Sequence, residues 1–327
     1  MDHLNTIVPS NLNLPHPIQI QVPLQDKNWF KTGGCAQFYC EPQTAIDFQC
    51  ALQWAYDNKL PLTILGEGAN ILINDEGIPG LVIHPKLHTI RHYPITAIHT
   101  HLEADCGVSF GDLIQYCLDH QLIGLEEFSG IPGTVGGSVF INIHYFEFLL
   151  SNFIVHAQVI HKNTGIITRV DRDWFNFGYN YSTLHNNEYY LLSATFLLRQ
   201  GDALETAYAQ GRSHEIIRHR KQRYPKSNTC GSFFRNFYPS EVTLESNGTK
   251  LIYVAYYLDK IGVKGQLAVG DAIVSYQHAN MLVNRGKATS NDLIGLAKTM
   301  QELVFQQFGI IPQPECRLLG FSKYPLL

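Results

Sequence analysis

Apolar residues recur along the chain in two rhythms, and the alternation between them outlines a mixed α and β protein. Between Thr44 and Asn58 the apolar positions Ala45, Phe48, Ala51, Leu52 and Ala55 fall three and four apart, which predicts a helix with one buried face. Short apolar runs flank it and predict strands: Ala36–Cys40, stopped by Glu41-Pro42, then Leu62–Leu65. Ile71–Ile73, a turn at Asn74–Gly77 and a strand at Leu81–His84 complete a βαβ unit. A strand at His99–Ala104 leads to a helix at Phe110–His120, which Ser109 is placed to cap. Phe153–His161 and Gly165–Val170 read as a hairpin, and Tyr189–Arg199 as a long strand. Gly201-Asp202 breaks the pattern. Beyond it come a helix from Ala203 to about Lys221, a helix at 250–261, strands near 270–275 and 281–284, and a helix at Ser290–Phe308 with Ser290 and Asn291 as capping candidates. Residues 1–22, rich in Pro, Asn and Gln, read as a loosely held lead segment. The breaks divide the remainder into 23–85, 86–200 and 201–327.

Two glycine-dense stretches interrupt these rhythms. Gly130-Ile131-Pro132-Gly133-Thr134-Val135-Gly136-Gly137-Ser138 holds four glycines and a proline in nine residues, which suits neither a helix nor a central strand. Such a backbone can approach a ligand closely and point free N–H groups at an anion. It can equally be a tight turn joining two core segments. The second stretch, Leu65-Gly66-Glu67-Gly68-Ala69-Asn70, follows a strand, the place where α/β folds receive phosphates. It has two glycines where the dinucleotide fingerprint has three, and a strand downstream instead of a helix. A second cradle for the same ligand and a hairpin-like turn are both compatible with it.

Composition narrows the function classes. The 327 residues, with 45% hydrophobic and 16% charged side chains, describe a globular protein with substantial cores. A formal charge of −4 argues against a nucleic-acid partner, and the short basic cluster at 218–223 reads as a solvated face. The most apolar stretch, 139–160, carries Asn142, His144, Glu147, Asn152 and His156, too many polar groups for a membrane span. Fifteen histidines show no metal-ligand spacing, so no metal site is expected. Seven cysteines without a CxxC pattern, and no apolar leader after Met1, suggest reduced thiols and a cytoplasmic protein. Oligomeric state leaves no signature.

Seven segments in order over about residues 22–320 resemble the UDP-N-acetylenolpyruvoylglucosamine reductase (MurB) family, flavoenzymes of peptidoglycan precursor synthesis. They are Val22–Leu24 with Asn28–Ala36, Leu65–Leu72, the 130–138 stretch, Phe177-Gly178-Tyr179, Gly231–Asn236, Gly262–Gly265 and Pro314–Gly320. The resemblance implies an α+β chain: a two-part FAD-binding region of the PCMH/VAO type, a βαβ subdomain plus a mixed α+β subdomain, followed by a MurB-type substrate domain. It implies FAD held by Leu65, Gly66, Glu67, Gly68, Ala69 and Asn70 and by Ile131, Pro132, Gly133, Thr134, Gly136, Gly137 and Ser138. NADPH would supply hydride and a sugar nucleotide would accept it at an enolpyruvyl group. Ser232 matches the family's proton donor, and Glu315 the acidic residue facing the developing enolate, which must be protonated to help. Without the family, Ser232 reads as a turn residue and Glu315 as a surface carboxylate. Tyr179, Lys221, Asn236 and Lys264 are candidates for substrate contact, with a solvated surface as the plain reading of the two lysines and Asn236.

The chain departs from the family pattern at three places. Asn180, the third catalytic candidate, stands where the family has arginine; its amide can donate a hydrogen bond but brings no charge opposite the enolpyruvyl carboxylate and enolate. Ile143-His144-Tyr145-Phe146-Glu147-Phe148 replaces small residues, and Ala69 a common serine. His144, Arg223 and Arg235 are candidates to restore the missing charge. Three functions therefore stay open: a reductase with a rebuilt carboxylate site, a flavoprotein with changed or lost reaction, and a sugar-nucleotide-binding scaffold without flavin.

Overall fold

The computed structural model describes residues 17–327; the predicted lead segment lies outside them as far as residue 16. Its end is not loose. Strand β1 (Gln19–Pro23) pairs antiparallel with β2 (Cys35–Cys40) and opens the first sheet. Helix α1 (Ala45–Asp57) starts at a capping box in which Thr44 and Asp47 satisfy each other's backbone N–H groups. Phe48, Ala51, Leu52 and Ala55 are its buried face, as the spacing predicts. Strands β3 (Leu62–Ile64), β4 (Ile71–Ile73) and β5 (Ile78–Ile83) follow. The βαβ expectation holds with one refinement: the sheet order is β1-β2-β5-β3, so β5 fills the gap between β2 and β3 and runs parallel to both. Buried between two parallel neighbours, β5 is apolar at almost every position.

The second sheet is antiparallel. It comprises β6 (Ile90–Pro94), β7 (His99–Asp105), the short β8 (Leu122–Ile123), β11 (Ile154–His161), β12 (Ile167–Asp171) and β13 (Tyr189–Gln200), in the order β12-β11-β13-β7-β6 with β8 on β13. In β7 Thr100, Leu102 and Ala104 are buried while the alternate His99, His101, Glu103 and Asp105 are not, as a sheet with one wet face requires. Helix α2 (Phe110–Asp119) packs on it; Ser109 holds the cap position but its side chain makes no capping bond. The expected glycine loop is only half a loop. Helix α3 (Val135–Ile141) begins inside it, capped by Thr134 Oγ1 on the Gly137 N–H, because tertiary packing overrides the poor helix propensity of glycine. After α3 the short strands β9 (His144–Tyr145) and β10 (Phe148–Leu149) make a small hairpin from the bulky 143–148 stretch.

The last third opens with α4 (Ala203–Arg223), capped by Asp202 and Glu205. A two-residue hairpin, β14 (Glu245–Ser246) and β15 (Thr249–Lys250), precedes α5 (Val254–Lys260), which is shorter than the helix expected over 250–261. Strands β16 (Ala268–Val269), β17 (Ala272–Val274) and β18 (Leu282–Asn284) form a small antiparallel sheet under α6 (Ser290–Phe308). The cap of α6 is Thr289 with Asp292, one residue before the expected Ser290. Ser290 instead bonds Asp75 Oδ2 through its N–H (2.7 Å) and hydroxyl (2.8 Å), tying the helix start to the turn after β4.

The chain then returns to its beginning. Strand β19 (Arg317–Leu319) pairs parallel with β4 in register Arg317–Ile71, Leu318–Leu72 and Leu319–Ile73. Phe30 and Leu72 join Phe233, Phe234, Tyr257, Leu293 and Met300 in one buried cluster, while Phe38, Phe48, Leu102, Phe128 and Phe196 share another.

Gly320, φ +80°, ends the return; a Cβ there would lie 2.1 Å from the Gly77 carbonyl oxygen. Gly320→Ala is expected to destabilise the fold by about 3 kcal/mol in urea unfolding, as an incompatible backbone substitution does. Gly262→Ala, with φ +73° and nothing within 4 Å of a new Cβ, should lose only about 1 kcal/mol. Equal losses would show that the contact with Gly77 contributes nothing.

Candidate functional site

Both glycine stretches open onto one cavity of about 1260 Å³. They also touch. Glu67 Oε2 accepts the Gly133 N–H at 3.0 Å, and a Cβ on Gly66 would come within 2.9 Å of Thr134 Oγ1. Residues 65–70 and, from the second stretch, Ile131, Pro132, Gly133, Thr134, Gly136, Gly137 and Ser138 all line it.

The two stretches differ in what their backbones offer. Among the described residues, no acceptor meets the N–H groups of Gly66, Glu67, Gly68, Ala69 and Asn70. Consecutive free donors in a tight turn are able to receive an anion. The 130–138 stretch fulfils the same expectation only at Gly130 and Thr134, whose N–H groups meet no acceptor among the described residues. Its N–H groups at Ile131, Gly133, Val135, Gly136, Gly137 and Ser138 are taken by Phe128 O, Glu67 Oε2, Val108 O, Cys106 O, Thr134 Oγ1 and Thr134 O. Its glycines serve close approach instead. A Cβ on Gly133 meets nothing within 4 Å, so the backbone there leaves room for a ligand.

Charge complements the free donors. Lys162, Arg220, Lys221, Lys226 and Arg317 line the cavity, against the carboxylates Glu67 and Glu315. A chain with formal charge −4 has thus gathered cations around this cavity, which favours anionic ligands. Part of the 218–223 cluster is no solvated face. Arg220 Nε donates to Gly130 O at 3.0 Å and its guanidinium lies 4.8 Å from the centre of the Tyr224 ring. Arg317 stacks over Phe140 at 4.4 Å, and its pKa is lowered by burial alone, with no carboxylate opposing the effect. Arg317 had a readable signal: Glu315, Arg317 and Leu319 alternate along an extended segment and all three line the cavity, while Cys316 and Leu318 pack in the core.

Backbone pairing brings Ser232 and Glu315 to one wall. Phe233 O accepts the N–H groups of Glu315 (2.8 Å) and Cys316 (3.1 Å), Phe234 bridges to Pro314, and both Ser232 and Glu315 line the cavity. Burial pushes the Glu315 carboxyl up to about 7, opposed by a hydrogen bond from Asn180 Nδ2 to its Oε2 at 3.0 Å. Its burial is therefore what the acid role implied by the resemblance demands. Tyr179, Asn180, Lys221 and Asn236 also line the cavity, and the Tyr179 hydroxyl accepts the Asn236 N–H at 3.3 Å. Lys264 is elsewhere, 3.2 Å from Asp259 in a half-exposed ion pair.

None of the three side chains considered as substitutes for the missing arginine fills that place. Arg235 is bound to Glu241 at 2.7 Å, and Arg223 does not line the cavity. His144 does, 5.1 Å from the Tyr179 ring, but burial lowers its pKa and keeps it neutral.

The residues fit a dinucleotide cofactor. Besides the five free N–H groups and the open side of Gly133, two buried polar atoms on the cavity wall, Asn70 Oδ1 and Thr229 Oγ1, have no partner among the described residues. The comparisons agree. The FAD binding domain family matches residues 36–171, and the UDP-N-acetylenolpyruvoylglucosamine reductase C-terminal domain matches residues 222–319. The UDP-N-acetylenolpyruvoylglucosamine reductase of Synechococcus sp. (strain JA-3-3Ab) is 32% identical over 310 residues, 95% of this chain and 94% of the relative. That of Listeria monocytogenes serotype 4b (strain CLIP80459) is 31% identical over 313 residues, 94% of this chain and 97% of its own. The crystal structure of UDP-N-acetylenolpyruvylglucosamine reductase (MurB) from Thermus caldophilus superposes with a TM-score of 0.73 at 26% identity, covering 92% of this chain and 99% of that one. The fold is thus the α+β arrangement expected, an FAD-binding region followed by a MurB-type C-terminal domain.

Gly137 lines the cavity, and a Cβ there would meet only Thr134 Oγ1 at 3.7 Å. Gly137→Ala is expected to hold or raise the melting temperature, since alanine favours the helix by about 0.5–1 kcal/mol, while weakening flavin retention on a desalting column. Retention equal to that of the parent protein would mean the α3 start does not face the cofactor.

Proposed function

The chain belongs to the UDP-N-acetylenolpyruvoylglucosamine reductase family, and from that premise we propose how its residues carry out the family reaction. It is a flavoprotein oxidoreductase of peptidoglycan precursor synthesis, reducing UDP-N-acetylenolpyruvoylglucosamine to UDP-N-acetylmuramate. NADPH is the reductant and the cytoplasm the site of action; no helix among the described residues is long and apolar enough to cross a membrane. FAD, when bound, supplies the hydride for C3 of the enolpyruvyl group.

The protein does the rest. The N–H groups of residues 66–70 take the FAD diphosphate, and the surface formed by Ile131–Thr134 and Gly136–Ser138 closes on the neighbouring groups. Lys221 and Lys226 meet the phosphates of the incoming nucleotide, with Tyr179 and Asn236 on the same wall. As negative charge builds at C2 and its carboxylate, Glu315 donates a hydrogen bond to it as a neutral acid. Ser232 delivers the proton to C2. A serine hydroxyl is a weak acid, and the cationic lining of the cavity helps it release that proton. Lys264 has no part.

The observation that carries this reading is the pairing of Phe233 and Phe234 with 314–316, which brings the Ser232 hydroxyl and a buried carboxyl of raised pKa to one wall of a cation-lined cavity. The test separates the two half-reactions. NADPH should bleach the yellow flavin absorbance, and the enolpyruvyl nucleotide should restore it. Ser232→Ala should leave the bleaching intact and slow the restoration by about 10²–10⁴-fold; equal slowing of both would refute its role as proton donor.

pH gives a second handle. Glu315 acts as an acid, so it must carry its proton, and it loses that proton as pH rises through about 7. Restoration should therefore slow with rising pH through that value, while Glu315→Gln should give a slow rate without this limb. A limb unchanged in Glu315→Gln would assign the titration to another group.

A further inference from the structure

A four-residue turn holds Asn180 in place. Gly178 and Tyr181 exchange backbone hydrogen bonds of 3.0 and 3.4 Å, and Asn180 between them has φ +53°. Asparagine accepts this left-handed conformation with little strain, whereas most side chains lose about 1–2 kcal/mol there. The turn is anchored on three sides. Asn142 Nδ2 donates to Gly178 O at 3.2 Å, Ser182 Oγ donates to Phe140 O at 2.7 Å, and the Tyr179 hydroxyl accepts from the Asn236 N–H. Glu315 is fixed as firmly, through its N–H on Phe233 O and through its carbonyl, which accepts from Asn70 Nδ2 at 3.4 Å. Two rigid supports thus bring one amide N–H to one carboxyl oxygen, Glu315 Oε2.

We infer that Asn180 is a positioning residue: its amide decides which oxygen of Glu315 carries the proton. In a neutral carboxylic acid the carbonyl oxygen is the better acceptor, so the donated hydrogen bond makes Oε2 the carbonyl and leaves the proton on Oε1. Oε1 has no partner among the described residues and belongs to a side chain that lines the cavity. The neutrality of the amide matters as much as its direction. A guanidinium in the same place would favour the ionised carboxylate by its charge, whereas an amide holds the acid in position while letting it stay protonated.

The groups around Glu315 leave this control to Asn180. Tyr179, from the same turn, is pushed by burial up to about 12 and stays neutral. Cys316, the next residue, is raised by burial and by the Cys230 thiol beside it. Next to Phe233, which accepts the Glu315 N–H, stands the uncharged Ser232, and the neutral His144 stands beyond Tyr179. Arg317, the nearest cation in sequence, is turned over the Phe140 ring.

The inference deepens the reading of Glu315 as the acid, and its test does not depend on turnover. In the purified holoenzyme, the infrared carbonyl band of protonated Glu315 is identified by its loss in Glu315→Gln and titrated against pH. Asn180→Gly keeps the left-handed turn and removes the amide. It should move the band to higher frequency, because the carbonyl loses its donor. It should also raise the midpoint by about half a pH unit or more, because that donor favoured the carboxylate. Asn180→Arg should shift the midpoint the other way, by about one unit or more, so that the band is absent at neutral pH. A band of unchanged frequency and midpoint in Asn180→Gly would overturn the inference, even if activity fell. Failure of the enolpyruvyl nucleotide to restore the flavin colour would overturn the functional reading alone, since the infrared titration needs no substrate.

Discussion

The site exists because the last strand comes home to the first sheet. Parallel pairing of Arg317–Leu319 with Ile71–Ile73 lays the end of the chain beside the turn at 66–70, and the Arg317 N–H bonds Asn70 O at 3.0 Å. Upstream of that pairing, Glu315 and Cys316 hang on Phe233 O and bring in the segment that carries Ser232. Three regions far apart in sequence are thereby fixed by ordinary backbone hydrogen bonds, with Asn74 also reaching Leu319 O and Gly320 O. Under the proposed function, the hydroxyl, the carboxyl and the anion cradle owe their mutual placement to these bonds.

Burial and charge are used in opposite directions within the same cavity. Cations gather on its walls, a field that favours anions in a protein of net negative charge. Within that field one carboxyl is desolvated rather than paired, and its pKa rises instead of falling. A salt bridge to a cavity lysine or arginine would have ionised it. The architecture avoids that by meeting Glu315 with an amide and by turning Arg317 onto an aromatic face. Glu67, the other acid, is occupied by the Gly133 N–H and fastens the two glycine stretches together.

Much of this was legible in the chain. Helix α1 and the C-terminal helix follow from spacing because each buries one face, and the long strand β13 follows from its unbroken apolar run. What escaped depended on tertiary contacts. Helix α3 forms from glycines because Gly136 N–H reaches Cys106 O and Thr134 caps the turn, neither of which a propensity argument contains. Ser290 looked like a cap because it precedes a helix, yet Asp75 claims it from a distant turn. At the site, motif resemblance pointed to Ser232, Glu315 and the two glycine stretches, and these converge. Lys264 fails to converge because Asp259 holds it outside, and Arg220 was hidden in a basic cluster whose helical spacing turns it and Lys221 inward. The arginine replaced by Asn180 raised the sharpest doubt in the sequence. The structure recasts it, since the amide engages the acid directly.

The central claim is that the five free amides from Gly66 to Asn70 grip the cofactor that the Ser232–Glu315 wall then faces. Hydrogen exchange on these amides, measured with the flavin bound and after its removal, tests it most directly. The account predicts strong protection of residues 66–70 in the flavin-bound protein, lost on removal, with little change in the β4–β19 ladder. Equal exchange at 66–70 in both forms, with the flavin still firmly held, would contradict it.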